Sequence, residues 1–441
     1  MKQLLNDYGM VLVLFVIAGV LSVLTWDEQQ PAGKSGARRL VKEIKAKFSG
    51  SESILIATGA HQEDQEYSGE LKSSLESAGF KVAKVVNGDA RTARGALKEL
   101  ATSKTKIDII AGTPVTARWL VFEGIKDDFP TLGNPSVIAP TSYKWPTFLK
   151  TDNLLNVSNQ IAVIAVLAIG MTMVIITAGI DLSVGSLIAL SSVISAWLVV
   201  NFAGAAEASA SGMALSCVGG ILVCGFVGLF TGTMVTRFRI PPFIVTLAMM
   251  LVASGFAYMI AKGTSIYDVP DEFTWLGRGT IAGIPVTVML MLLLYCVAHV
   301  VMSKSKIGRA IYAVGGNPEA ARLSGIRVNR VLLMVYAACG LLAGLGGVIL
   351  ASQLKSGSPT YGNMYELYTI AAVVVGGTSL MGGEGKMFGT LIGAFIIGVI
   401  QNGMNLQGVE PYTQKVVLGF VILGAVLLDK LKQGGFATKP D

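Results

Sequence analysis

The chain has 441 residues, of which 52% are hydrophobic and only 14% charged, with a mean hydropathy of +0.61. So apolar a composition excludes an ordinary soluble globular protein and points to an α-helical polytopic membrane protein, a class that 52 glycines also suit because small residues let helices approach closely. The formal charge of +7 sits largely in short loops, where orientation in the membrane explains it without a nucleic-acid partner. Cys217, Cys224, Cys296 and Cys339 all lie in apolar runs without metal-ligand spacing, and read as core residues.

Taken in order, Tyr8–Leu24 is the first apolar stretch. No small-x-small cleavage site follows in Thr25-Trp26-Asp27-Glu28, so a retained first transmembrane helix over residues 1–25 is expected rather than a signal peptide. Residues 26–146 then change character, being dense in charge and poor in long apolar runs. Ile54–Ala57, Lys81–Val86, Ile107–Ala111 and Ser136–Ala139 read as strands, and Asp64–Ala78, Thr92–Ser103 and Val115–Ile125 as helices between them. That alternation predicts an inserted α/β domain with a parallel sheet covered on both faces. Its element order and Gly112-Thr113-Pro114 resemble one lobe of a periplasmic sugar-binding protein, which implies a bound ligand; a docking or structural domain without one stands as the alternative. His61, just beyond the first strand, is placed where such sheets put ligands.

From residue 147 to 432 the chain divides into nine further segments of roughly 20 residues, each long enough to cross the hydrocarbon core. They fall near Ile161–Ala178, Val184–Phe202, Met213–Thr236, Phe243–Ala261, Ile284–Met302, Val331–Ala351, Leu367–Leu380, Gly389–Asn405 and Thr413–Leu428. With ten crossings and a cytoplasmic N-terminus, residues 26–146 fall outside. Arg237 and Arg239, the loop 303–330, Lys430 and Lys432, and a tail over 433–441 then all fall in the cytoplasm, as the positive-inside rule requires. A faint internal echo, Gly185-Ser186-Leu187-Ile188-Ala189 against Gly389-Thr390-Leu391-Ile392-Gly393, fits the repeats from which transporters are often built.

The loop 303–330 is a basic island, with Lys304, Lys306, Arg309, Arg322, Arg327 and Arg330 between two membrane-length runs. Asn317 and Pro318 can cap and start a short helix, Glu319-Ala320-Ala321-Arg322-Leu323 continues it, and Gly325 can end it in a left-handed cap. Glu319-Ala320-Ala321 followed by Gly325 resembles the cytoplasmic coupling motif of bacterial ABC-importer permeases. Phe148–Val157, Gly179–Ser186, Gly315–Ile326 and Ala371–Gly385 with its Gly376-Gly377-Thr378-Ser379-Leu380 run extend the likeness to permease subunits of ribose- and xylose-type sugar importers. An inserted domain departs from that family's pattern.

The resemblance implies a non-enzymatic transport subunit, working as a homodimer or pseudo-dimer. It implies that ATP and Mg act in a separate ATP-binding subunit docked at Asn317–Gly325, that a periplasmic binding protein delivers a monosaccharide, and that this chain itself carries no cofactor and no metal. The phosphate-loop pattern fails at Gly33-Lys34-Ser35 and again at Gly385-Lys386, so no ATP site is expected here. A neutral polyol needs uncharged hydrogen-bonding groups along its path; Asn159, Gln160, Thr172, Thr177, Gln401, Asn402 and Asn405 are candidates, with interhelical bonding as their other reading. The break Gly179-Ile180-Asp181-Leu182-Ser183-Val184-Gly185 is a candidate bend beside a water-filled path, with Asp181 alternatively capping the next helix through the amides of Ser183 and Val184. His299 is expected to be the only buried imidazole, and the lack of an acidic or histidine relay argues against proton coupling. Permeases for nucleosides, branched-chain amino acids or signalling furanones remain open alternatives, as does a membrane receptor that uses the inserted domain as its sensor.

Overall fold

The computed structural model describes residues 2–432, so the expected tail over 433–441 lies outside the described residues. The chain forms two units: Trp26–Thr147, and the remainder up to Thr25 together with Phe148 onward. α1 (Lys2–Leu24) opens the chain as a helix whose apolar part is Gly9–Leu24.

The unit Trp26–Thr147 runs β1 (Trp26–Gln29), α2 (Gly33–Lys47), β2 (Ser53–Thr58), α3 (Gln62–Glu76), β3 (Lys81–Asn87), α4 (Ala90–Thr102), β4 (Ile109–Gly112), α5 (Ile125–Asp128), β5 (Ser136–Ile138) and β6 (Tyr143–Pro146). Four strands pair in parallel in the order β3-β2-β4-β5. The two-residue period of β2 divides its side chains between two cores. Ile54 and Ile56 pack with Leu40 and Ile44 of α2 and with Tyr67, Leu71 and Leu75 of α3, while Leu55 and Ala57 pack with Ala93, Leu97 and Leu100 of α4. The Asp89 side chain caps α4 by accepting from the Thr92 amide at 2.8 Å, which holds its carboxyl below the usual carboxylate range.

α2 precedes the first strand that the sequence analysis reads, although Ala37, Leu40, Val41 and Ile44 follow a helical stripe. The expected helix Val115–Ile125 is not formed. Thr116 Oγ1 accepts from the Thr113 amide at 2.8 Å and donates to the Ala57 carbonyl at 2.7 Å, and Trp119 is extended, so the stretch breaks into single turns at Thr116–Arg118 and Leu120–Phe122 before α5. β1 and β6 pair antiparallel from Trp26↔Pro146 to Gln29↔Tyr143, so the unit's chain ends leave side by side. On the other unit, the Phe148 amide donates to Thr25 Oγ1 at 3.1 Å.

Phe148 onward forms α6 (Thr151–Ile176), α7 (Val184–Leu198, continued by a π turn over Val199–Ala203), α8 (Ala210–Arg237), α9 (Pro242–Ile260), α10 (Trp275–Arg278), a ribbon of β7 (Thr280–Ile281) and β8 (Ile284–Pro285), and α11 (Val286–Lys304). It continues through α12 (Lys306–Gly316), α13 (Pro318–Leu323), α14 (Val328–Leu354), α15 (Tyr365–Val375), α16 (Met387–Leu406) and α17 (Pro411–Lys432). Among the described residues, seven helices are long and apolar enough to cross a membrane, namely α6, α7 with its π turn, α8, α9, α11, α14 and α16. The expected span Leu367–Leu380 is corrected: α15 stops at Val375, because Gly376 follows and Gly377 takes the left-handed φ of +87° that closes a helix end.

α14 is the central element, packed on α6, α7 and α8 by close glycine contacts. A methyl group on Gly340 would overlap the Cys224 carbonyl oxygen of α8, and one on Gly170 of α6 would lie 2.8 Å from Cys339 Cα. Cys224 and Cys339 are buried as expected, but Cys217 is only half-buried, and Cys296 and His299 face outward on α11, away from the helices it packs against.

Because its two ends are paired, the unit Trp26–Thr147 is expected to be removable. Joining Thr25 to Phe148 through a short linker should leave a membrane-inserted protein that is monodisperse in detergent, and aggregation would show that the unit is integral to the fold. The excised unit should unfold cooperatively in urea, with Ile56→Ala costing about 2–5 kcal/mol.

Candidate functional site

Two places in the larger unit combine exposed or polar groups with an unusual backbone. The first is the segment after α11. Ser305 caps α12 by accepting from the Gly308 amide at 3.1 Å, and α12 buries Gly308, Ile311, Val314 and Gly315 on one face. Asn317 Oδ1 accepts from the amides of Glu319 and Ala320, both at 3.0 Å, and Pro318 supplies the first residue of α13. Gly325, at φ +83°, reverses the chain while the Ile326 amide donates to the Ala321 carbonyl at 3.0 Å.

α13 is therefore a closed knob of one and a half turns. Ala321 faces inward; Glu319, Ala320 and Arg322 face out, with Glu319 and Arg322 3.4 Å apart, and Leu323 is 90% exposed. The sequence analysis reads Leu323 only as a continuation of the helix, since nothing in a run of helix formers shows which side chain points away from the protein.

Beneath the knob, α12 touches two other connections. A methyl on Gly315 would overlap the Ile176 carbonyl at the end of α6, the Gly383 amide donates to that same carbonyl at 2.8 Å, and Tyr312 Oη donates to the Gly385 carbonyl at 2.6 Å. The exposed basic residues Arg237 and Arg239 share this end of the unit with Arg327 and Arg330, because α8 and α14 run antiparallel, with Gly232 beside Leu333.

The second place is a cavity of about 350 Å³. It forms where two polypeptide runs are non-helical inside the helix packing. After α6 the chain turns back as Thr177–Ser183, lying alongside α14 near Tyr336, roughly 12 Å along that helix from Val328 at 1.5 Å per residue. α7 begins only at Val184. After α14, Lys355–Met364 runs through successive turns beside α7, with Gly357 against Ser192 and Gly362 against Gly185, and α15 begins at Tyr365. The first turns of α7 and α15 thus face each other across Gly185 and Gly362, and a methyl on Gly185 would overlap both the Gly362 carbonyl and the Glu366 carboxylate. Met364 is held at a left-handed φ of +68° in this turn. Ser186, Ser254, Tyr258, Thr360, Asn363 and Glu366 supply the polar lining, within the size range of about 300–1,000 Å³ usual for small-molecule sites. The Glu366 carboxylate has no ion-pair partner among the described residues.

The sequence profile of the branched-chain amino acid transport system permease component matches residues 153–426. The chain belongs to this permease family. Among similar proteins, the ribose import permease protein of Escherichia coli strain K12 is 44% identical over 301 residues, 67% of this chain and 91% of the relative. That of Bacillus subtilis strain 168 is 43% identical over 314 residues, 70% and 95% of the two chains. The D-allose transport system permease protein of Escherichia coli strain K12 is 36% identical over 284 residues, 64% and 85%. No solved structure matches. The profile match begins after the unit Trp26–Thr147.

Of the permease's candidate path residues, only Gly185 lines the cavity. Asn159 ties helices together: its Nδ2 donates to the Gly277 carbonyl at 3.2 Å, and it accepts from Thr287 and from Gln353. Asn402 and Asn153 exchange two amide hydrogen bonds between α16 and α6, at 2.9 and 3.0 Å. Asn405 accepts from Gln414 at 2.8 Å, Gln160 is exposed on α6 and Gln401 is half-buried on α16. Thr172 Oγ1 bonds to Ala168 and Thr390, and Thr177 Oγ1 donates to the Val174 carbonyl. Gly179 packs on Tyr336 Oη.

Asp181 is fully buried, and its Oδ1 accepts from both the amide and the hydroxyl of Ser183, at 2.9 and 2.6 Å. Of the two expected amides, that of Ser183 reaches Asp181, while the expectation for Val184 is corrected, because α7 starts without a side-chain cap. Glu366, Tyr361 and Asn363 went unmarked as lining residues, although the turn-rich run Lys355-Ser356-Gly357-Ser358-Pro359-Thr360-Tyr361-Gly362-Asn363 beside an apolar segment carries the signal of a broken crossing. Among the described residues, no group of three His, Cys, Asp or Glu side chains converges as a metal site needs.

Two adjacent glycines test the α12 seat. Gly315→Ala should lower the melting temperature in detergent by several degrees, since overpacking typically costs about 1–3 kcal/mol, whereas Gly316→Ala, which meets nothing within 4 Å, should leave it unchanged. Equal melting temperatures would show that α12 is loosely seated.

Proposed function

We propose that this chain is the membrane-spanning permease subunit of an importer that carries a monosaccharide across the bacterial inner membrane, powered by a separate ATP-hydrolysing subunit. The observation that carries the reading is the 44% identity to a ribose import permease over 91% of that protein's length. In this reading ATP and Mg act in the partner, a binding protein delivers the sugar from outside, and two permease copies frame the path. α13 is the element that docks to the ATPase, with Leu323 as the apolar anchor and Glu319 and Arg322 at its rim.

Ten crossings follow if the turn-rich run Lys355–Met364 and α15 traverse the membrane together as one broken segment. α1 and α17 are the first and last crossings in this count. It places the basic ends of α8, α11 and α14 in the cytoplasm and the unit Trp26–Thr147 outside. In that unit the crevice between β2 and β4, where such sheets bind ligands, is filled by the protein's own groups: Tyr67 Oη donates to the Gly112 carbonyl at 3.0 Å and Thr116 Oγ1 to that of Ala57. His61 stands exposed at the start of α3. The filled crevice favours docking over sugar binding for the added unit.

Leu323→Asp and Glu319→Lys should each cut ATP-driven uptake and co-purification of the ATPase by about tenfold or more while leaving the melting temperature of the purified chain unchanged, because both side chains are exposed. Retention of both uptake and co-purification would remove α13 as the docking element. The family profile's description keeps branched-chain amino acids as a second reading, and uptake of L-leucine in place of D-ribose, D-allose and D-fructose would establish it.

A further inference from the structure

We infer that the cavity between the first turns of α7 and α15 is a holding site for one monosaccharide, in which the Glu366 carboxylate accepts hydrogen bonds from neighbouring sugar hydroxyls. The inference rests on the sugar-permease reading and assigns that reading a place and a recognition group. Three independent features support it.

The first is shape. The cavity sets polar side chains among apolar ones, and its volume of about 350 Å³ accepts a small polyol with some water. The second is the unpaired carboxylate. A glutamate among membrane helices is costly unless paired or wet, and Glu366 lacks an ion-pair partner among the described residues while facing the cavity beside Gly185. Two vicinal hydroxyls supply the donors that a carboxylate lacks, in charge-assisted hydrogen bonds. Ser186, Ser254, Thr360 and Asn363 can both donate and accept, which matches hydroxyls that do the same.

The third is the sign of the local field. The first turns of α7 and α15 direct the positive ends of two helices at this point, and Glu366, in the first turn of α15, already answers them. The lining holds no Lys, Arg or His, so a neutral polyol brings no charge that the site leaves unanswered. The narrow approach of Gly185 to Gly362 sets one wall of the site, and any side chain at position 185 would enter the space beside Glu366.

The test uses the full chain with its ATPase and binding protein in proteoliposomes, with D-ribose, D-allose and D-fructose as probes. Glu366→Gln is expected to lower the sugar moved per ATP hydrolysed by about 10- to 100-fold, the range for losing hydrogen bonds to a charged acceptor, while ATPase docking through α13 is retained. Glu366→Asp should recover part of the loss. A Glu366→Gln protein that moves sugar within twofold of wild type overturns the site. If wild type moves none of the three sugars, the sugar-permease reading itself fails, which is a separate result. Should Glu366→Gln not reach the bilayer, Ser254→Cys decides: the sugar imported by wild type must slow its labelling by a methanethiosulfonate reagent at least threefold relative to the wild-type background. Unprotected labelling overturns the site.

Discussion

Non-helical backbone deep in a membrane protein survives only where it is buried in protein or lines a water-filled cavity. This permease has two such runs and provides for both. In Lys355–Met364, the Gly357 amide and carbonyl pair with Ile266, the Ser358 carbonyl accepts from Ser192 Oγ and the Gly362 carbonyl accepts from the Tyr365 amide. In Thr177–Ser183, the Gly179 amide donates to the Val174 carbonyl, the Ile180 carbonyl accepts from Thr246 and the Ser183 amide donates to Asp181. The buried carboxylate of Asp181 is thus part of the cost of breaking a helix, spent on a neighbouring amide and hydroxyl.

Those runs pack closely because the surrounding faces lack side chains. Gly340, Gly344 and Gly347 on α14 admit the backbones of α8 and α7, and Gly389 and Gly393 on α16 admit α15. Lipid supplies no hydrophobic drive between helices, so approach distance itself carries the attraction. The same logic explains why the polar amides Asn153, Asn159 and Asn402 pair with one another or with backbone instead of lining a path.

The sequence displayed most of the helices, the parallel sheet and the capped α13, because those depend on periodicity and on local cap chemistry at Asn317, Pro318 and Gly325. It hid what depends on distant contacts. α15 ends five residues early, where Gly377 turns left-handed and Gly376 packs on Gly389, 13 positions on. The cavity gathers residues from α7, α9, the run after α14 and α15, and of the expected path residues only Gly185 belongs to it. Spacing within one segment cannot show that Gly185 and Gly362 touch. Polar residue type alone also failed as a guide, since in a membrane protein an amide that glues helices and an amide that lines a path look alike in a string of letters.

The seat of α12 has a mechanical corollary. Through Gly315 it bears on Ile176, from which the chain runs on to the start of α7, and through Tyr312 it is tied to Gly385, which leads back to α15. One short helix is thus the shared abutment of two connections, so a substitution that unseats it loads the end of α6 and the run after α15 together.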